Sequence, residues 1–456
     1  MMPRHPHRWS LALPLLALLA ATTARAHAGL PETSNVTLRR GHPEDIFLGA
    51  TFGAVISRDG GKTFRWICAD AIGYGGWTPT AYLWREAGDI LTATGSELMR
   101  SSDGGCSWSK HPYFKDTWVS GMAAHPTDDR ILYVVTARYG KPNGVYRSLD
   151  GGETWAPSPL MRLGLVLNAV RVSPANPRRI YVSGKEDNRL LLLRSDDAGE
   201  TWTETVHPLP ELQLPYDLLV EAADPVSADG VWARVSAQGS TFLLRSDDGG
   251  QTFTTVSRID DVFINMELSA DGKTTWVGTL NHFFQGPSTG PLTMRSLPTG
   301  NACVLRDGET LYACGSTWLH DWALARSTDQ GNTWTHLFGL YEIQGTHHCP
   351  TGTPVRTVCP GRWPQLAEQL GAPLYPEEPP PDDGGTRPDA GAPDAGSSSD
   401  AGSSTDAGST PETPPPPKSS SGCGAMGGNI VPLLLLLSTL TLLRRGRRRQ
   451  TQERSP

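Results

Sequence analysis

The figure Ser148-Leu149-Asp150-Gly151-Gly152-Glu153-Thr154-Trp155 constrains this chain more than any other stretch, because it returns. Written S-x-D-x-G-x-T-W, it recurs at 57–64, 101–108, 195–202, 246–253 and 327–334, with Phe in place of Trp at 64 and 253 and Ser in place of Thr at 107. These are the residue types of a tight hairpin: the Asp accepts from nearby backbone N–H groups, glycine supplies a positive φ, and the aromatic ring opens the next strand and buries itself. The figure builds a turn, not a reaction. A turn repeated along a chain carries a supersecondary unit with it.

That unit can be traced. Residues 36–40, a His-Pro-Glu-Asp turn at 42–45, the apolar run 46–51 and then 54–57 lead into the first copy. The same outline returns over 119–148 and 169–195, with apolar runs at 131–136 and 180–184 separated by Pro, Asp and Asn clusters. Runs that alternate with such clusters are strands and turns, so each unit offers four antiparallel strands with the figure joining the third to the fourth. The figure's aspartates fall at Asp59, Asp103, Asp150, Asp197, Asp248 and Asp329, and the last gap is nearly twice the others. Arg295-Ser296, with Gly300 behind it and Pro298 in place of the Asp, marks a decayed copy there. The expectation is an all-β propeller of four-stranded antiparallel blades, seven in number, with six or eight as alternatives.

The figure resembles the Asp-box, or BNR repeat, of sialidases, sortilin-type receptors, some xyloglucan hydrolases and a photosystem assembly factor. The resemblance covers the first three quarters of the chain and implies a propeller whose boxes lie away from the binding face. It implies no single activity, since the family contains enzymes and receptors alike. It argues against a sialidase: the F-R-I-P signature is absent, and the arginines that precede the box serines (Arg100, Arg147, Arg194, Arg245 and Arg326) fall one per blade, as structural or surface ion-pair residues would. Alternation along a strand also predicts that Arg39 and Arg40 cannot reach one site.

With the box at the third-to-fourth turn, binding residues are expected on the opposite face, in the loops between strands two and three and between blades. The candidates there are Trp77, Trp118, Tyr139, His282, Phe283, Phe284, Trp318, His320 and Trp322, rings that stack on sugars or grip a peptide beside orienting polar groups. Glu186, Asp187 and Asp321 share that face and are the carboxylates of a two-carboxylate glycosidase, if there is one. No cofactor, metal or catalytic residue is otherwise indicated. The Asp pairs at 196–197 and 247–248 are box turns without the further ligands of a calcium loop. The net charge of −7 with no basic groove leaves nucleic acid without a footprint.

Both ends carry addresses. Residues 1–26 have the positive start, short apolar run and Ala24-Arg25-Ala26 site of a secretory signal. Export makes disulfides the default for the six cysteines that precede the linker: Cys303 with Cys314 across a hairpin, Cys349 with Cys359, and Cys68 with Cys106, out of fifteen formal pairings. The propeller should occupy 27–345, a Cys-containing loop and a short helix over 364–370 should close 346–371, and the Pro/Asp/Gly/Ser-rich stretch 372–422 should be a disordered stalk. Residues 423–449 combine Cys423, a short apolar helix and an arginine cluster, with a basic tail at 450–456. They resemble the myxobacterial C-terminal sorting signal, which implies an intramembrane sorting protease, lipidation at Cys423 and display at the cell surface; a plain membrane anchor is the alternative. The leading functional expectation is a monomeric, non-catalytic, surface-displayed propeller that binds an extracellular glycan or protein. A glycoside hydrolase acting on extracellular polysaccharide is the second, and an envelope assembly or structural factor the third.

Overall fold

The computed structural model describes residues 31–374, apart from 74–80, 95–96, 210–211, 213–214 and 296–302. Seven four-stranded antiparallel sheets follow one another along the chain, at 33–68, 82–110, 119–162, 166–206, 218–259, 263–295 and 304–338, and each keeps simple meander order. This is a seven-bladed β-propeller. The first strand of every blade lies innermost, and side chains bridge neighbouring inner strands: Thr37 Oγ1 donates to Tyr82 O, Ser120 Oγ to Leu167 O, Asn168 Nδ2 to Leu218 O and Asn265 Nδ2 to Val304 O. Middle strands read as continuous apolar runs because both faces of a blade are covered by its neighbours. Ile46–Ala50, Leu132–Val135 and Leu190–Leu193 are buried throughout.

The boxes join third strands to fourth strands, as expected. In all six copies the Ser hydroxyl donates to the Asp Oδ1 at 2.7–2.8 Å and accepts from the N–H of the glycine four residues on. Five copies add a Thr hydroxyl on Oδ2. Four of these turns also bond the first-to-second turn of their own blade, for example Gly151 N to Arg130 O and Gly249 N to Asp229 O, which puts both sets of turns on one face. The arginines before the box serines reach forward: Arg147 to Ala198 O, Arg194 to Gly249 O and Arg245 to Ser288 O, each in the next blade's turn. Their role is structural.

Blade 6 corrects one expectation. Arg295 closes the fourth strand Thr293–Arg295, paired with Phe283, so the decayed turn lies at 288–292 rather than at 296–300. Ser288 occupies it, bonded to Lys273 O as the box turns are bonded to their neighbours. The third strand of this blade ends at Pro287, directly before Ser288, and residues 296–300 lie outside the described residues.

Closure of the ring also differs from expectation. Cys303 and Cys314 pair across their hairpin, but the other bonds are Cys68–Cys359 and Cys106–Cys349, linking residues 291 and 243 positions apart. The Cys68–Cys106 and Cys349–Cys359 pairings do not form, because residues 344–347 run beside the outer strand of blade 1, with Trp66 N on Gly345 O and His347 N on Trp66 O. The two cysteines of this segment are thereby delivered to blades 1 and 2. The helix that follows spans Pro354–Leu370, ten residues longer than expected at its start, with Pro354 in its first turn. Val355, Cys359, Trp363, Leu366, Ala367 and Leu370 form its buried stripe. No helix among the described residues is long and apolar enough to cross a membrane. The signal, the stalk, the apolar run after Cys423 and Cys423 itself lie outside the described residues.

Candidate functional site

On the face opposite the boxes, a cavity of 720 Å³ opens between blades 5 and 6. Its walls come from Tyr216 just before blade 5, Arg234 and Ser236 on the second strand, the Gln238-Gly239 turn with Ser240 and Thr241, and the connector Asp260-Asp261-Val262 with Phe263. Local sequence explains the shape. Gln238 and Gly239 take φ of 55° and 78°, which folds the hairpin tightly and leaves room above it. The three-residue connector between these blades, 260–262, carries both carboxylates.

The polar groups differ in how far they are committed. Asp261 is saturated: Oδ1 accepts from Val262 N and Asn281 Nδ2, and Oδ2 accepts from Thr279 Oγ1 and Asn281 N and faces His282 Nδ1 at 2.9 Å. Burial works to raise its pKa, but these bonds prevail and hold it at about 2. Asp260 accepts from Ser240 Oγ and Arg258 Nε on Oδ1 alone, and the Ser240 bond, then Arg258, keeps it below the usual carboxylate range. Its Oδ2 takes no hydrogen bond among the described residues. Arg234 forms the floor, with its guanidinium 5.2 Å from the Phe263 ring centre and Nε on Glu221 at 2.6 Å. Tyr216 stands at the rim, 72% exposed, with the Lys185 ammonium 4.9 Å from its ring centre.

Of the residues picked from sequence, the structure brings only His282 to this cavity's edge, through Asp261. Phe283 is fully buried against Trp334, and Trp322 is buried with Ala313, Ala325 and Trp334; both are core rather than binding residues. Phe284 packs on the cluster around Trp232 and Val277. A polar neighbour in sequence did not signal exposure, because alternate residues of these strands enter the space between blades. Trp318 donates its indole N–H to Pro31 O and so ties the N-terminal segment down. Trp118 and Tyr139 are exposed near blade 3, away from the cavity. Trp77 and the His320 side chain lie outside the described residues.

The three carboxylates named from sequence are not brought together. Glu186 in blade 4 is paired with Arg162 of blade 3 and with Arg189, Asp187 sits in the turn of blade 4 at φ 47°, and Asp321 in blade 7 accepts from the Tyr341 hydroxyl at 2.9 Å. Burial and that same carboxylate push the Tyr341 phenol up to about 12. His347 lies beside Cys106 and Cys349, but those thiols are joined to each other and offer no thiolate to a metal. The sequence reading missed Tyr216, Arg234, Asp260 and Asp261. The adjacent aspartates between two strand runs were the available signal.

No family model matches the chain. A xyloglucanase of Paenibacillus is 24% identical over 380 residues, covering 71% of this chain and 35% of that protein. Xyloglucanase Xgh74A of Acetivibrio thermocellus is 30% identical over 147 residues, 26% of this chain and 17% of the relative. The chain thus spans about a third or less of the length of these curated relatives. Among solved structures, an ancestral GH74 enzyme has a TM-score of 0.47 at 12% identity, covering 62% of this chain and 45% of that one. YCF48 from Cyanidioschyzon merolae has a TM-score of 0.45 at 11% identity, covering 67% and 100%. The xyloglucanase similarity corrects the expectation of a non-catalytic binding propeller: the hydrolase reading, placed second on sequence, takes its place.

Proposed function

We propose that this protein is a glycoside hydrolase of the Asp-box type, acting on an extracellular polysaccharide of the xyloglucan class at the cavity between blades 5 and 6. The observation that carries the reading is the match to a xyloglucanase across most of the propeller. The cavity suits it. Tyr216 offers a rim platform for a sugar ring, and Asp260 Oδ2 is a carboxylate oxygen without a partner among the described residues, available to activate water or attack the anomeric carbon. His282, held through Nδ1 by Asp261, is the proton carrier at the same edge, so Asp261 acts as a positioning residue. Export and surface display through the sorting signal at Cys423 are part of the same proposal, since a polymer too large to enter a cell must be met outside it.

The test is release of reducing ends from xyloglucan and related β-glucans by the full-length protein, its Asp260→Asn variant and its His282→Asn variant. Turnover by the wild type, reduced at least 100-fold in Asp260→Asn at unchanged melting temperature, supports the assignment. Equal turnover in all three proteins removes the site, and no turnover on any of the polymers removes the activity.

A further inference from the structure

A second cavity, of 530 Å³, lies where the inner strands of blades 1, 2 and 7 meet, at the box-side turns of blades 1 and 7. Thr37, Leu38, Arg39, Arg40, Gly41 and Pro43 of blade 1, Tyr82 and Leu83 of blade 2, and Leu305, Arg306 and Asp307 of blade 7 line it. Strand alternation had placed Arg39 and Arg40 on opposite sides. A register shift between Leu38 and Arg39, followed by Gly41 at φ 75°, breaks the alternation and lets both residues line one space.

The three guanidinium groups are unequally neutralised. Arg39 pairs with Asp45 at 3.2 Å, but Arg58 shares that carboxylate at 2.9 Å. Arg40 bonds the carbonyls of His125 and Pro126, and Asp129, 3.8 Å away, is shared with Arg85. Arg306 gives Nε to Leu268 O and Nη1 to Gly308 O, both neutral, and has no carboxylate within ion-pairing distance among the described residues. Its Nη2 donors are uncommitted there, although a guanidinium carries five donors in a fork that fits a carboxylate. Glu267, the nearby acid on the inner strand of blade 6, is pushed up to about 7 by burial and answers Arg306 only in part. Asp307 is the only carboxylate in the lining.

We propose that this cavity is a binding site for an acidic sugar, with the carboxylate of a uronic acid on Arg306 and its hydroxyls on the surrounding polar lining. The volume falls within the roughly 300–1,000 Å³ of small-molecule sites, far more than a bare ion needs. The site is remote from Asp260 and does not depend on the hydrolase reading.

The experiment is a calorimetric titration of the full-length protein at low salt with galacturonate, galactose and inorganic phosphate as separate probes. Galacturonate should bind at least 10-fold more tightly than either of the others. Arg306→Gln should weaken it at least 10-fold, and Asp260→Asn should leave it unchanged. Because Arg306 also bridges blades 6 and 7, Asp307→Asn provides a variant that keeps every arginine: removing the only negative charge in the lining should tighten galacturonate about threefold or more. Equal affinity for galactose, equal affinity for phosphate, or indifference to both Arg306→Gln and Asp307→Asn would overturn the proposal.

Discussion

The two faces of this propeller use the same strands to opposite ends. On the box face the Ser-to-Asp and Gly-to-Ser bonds are made six times over, and Arg147, Arg194 and Arg245 each add a bond to a carbonyl of the next blade. On the other face the connections carry no shared figure, and one of them, between blades 5 and 6, opens a cavity with a carboxylate oxygen uncommitted among the described residues. Repetition marks where the molecule is held together. Irregularity marks where it is free to recognise something.

Breaking the repeated face should cost stability and spare recognition. Trp155, buried with its indole N–H on Gly152 O, is the ring of the third box; Trp155→Ala should destabilise the fold by about 3–5 kcal/mol in urea unfolding. Oligosaccharide affinity per folded molecule should not change, and a parallel loss of affinity would break the comparison. Replacing Cys68 and Cys359 together by alanine removes the constraint on a 291-residue separation and should cost about 2–5 kcal/mol, read the same way.

Breaking the irregular face should do the reverse. Tyr216→Ala removes an exposed ring, so the melting temperature should hold while xyloglucan-oligosaccharide affinity falls about 10-fold, or about 1.4 kcal/mol. A change in stability without a change in affinity would place Tyr216 in the scaffold.

The smallest effect concerns acid. The Thr201 and Thr333 hydroxyls, then the N–H groups of the same residues, hold Asp197 and Asp329 at about 2 in the fold against 3.8 otherwise. Folded values below unfolded ones mean that this stabilisation is complete above about pH 4 and is lost as pH falls toward about 2. Thr201→Val removes one hydroxyl donor, lets Asp197 rise, and should shift the acid-unfolding midpoint slightly to higher pH by circular dichroism. A shift to lower pH would contradict the charge-holding role.

The same contrast explains what could be read from sequence. The boxes are local chemistry, with every donor and acceptor within four residues, so Asp59 through Asp329 announced blade count and box face together. The Cys303–Cys314 hairpin was legible for that reason too. The long-range disulfides were not, because they depend on 344–347 lying beside blade 1. The cavity depends on how two blades meet: Tyr216, Arg234 and Asp260 are 44 residues apart at the extremes and share no motif. Phe283 and Trp322 misled because an aromatic beside a histidine or an acid looks the same in sequence whether it faces solvent or the space between blades.

The central claim is that chemistry belongs to the face without boxes. A crystal structure of the full-length Asp260→Asn protein with a neutral xyloglucan oligosaccharide tests it most directly. The account predicts a sugar ring against Tyr216 with the chain running past residue 260; an oligosaccharide seated among the box turns would contradict it.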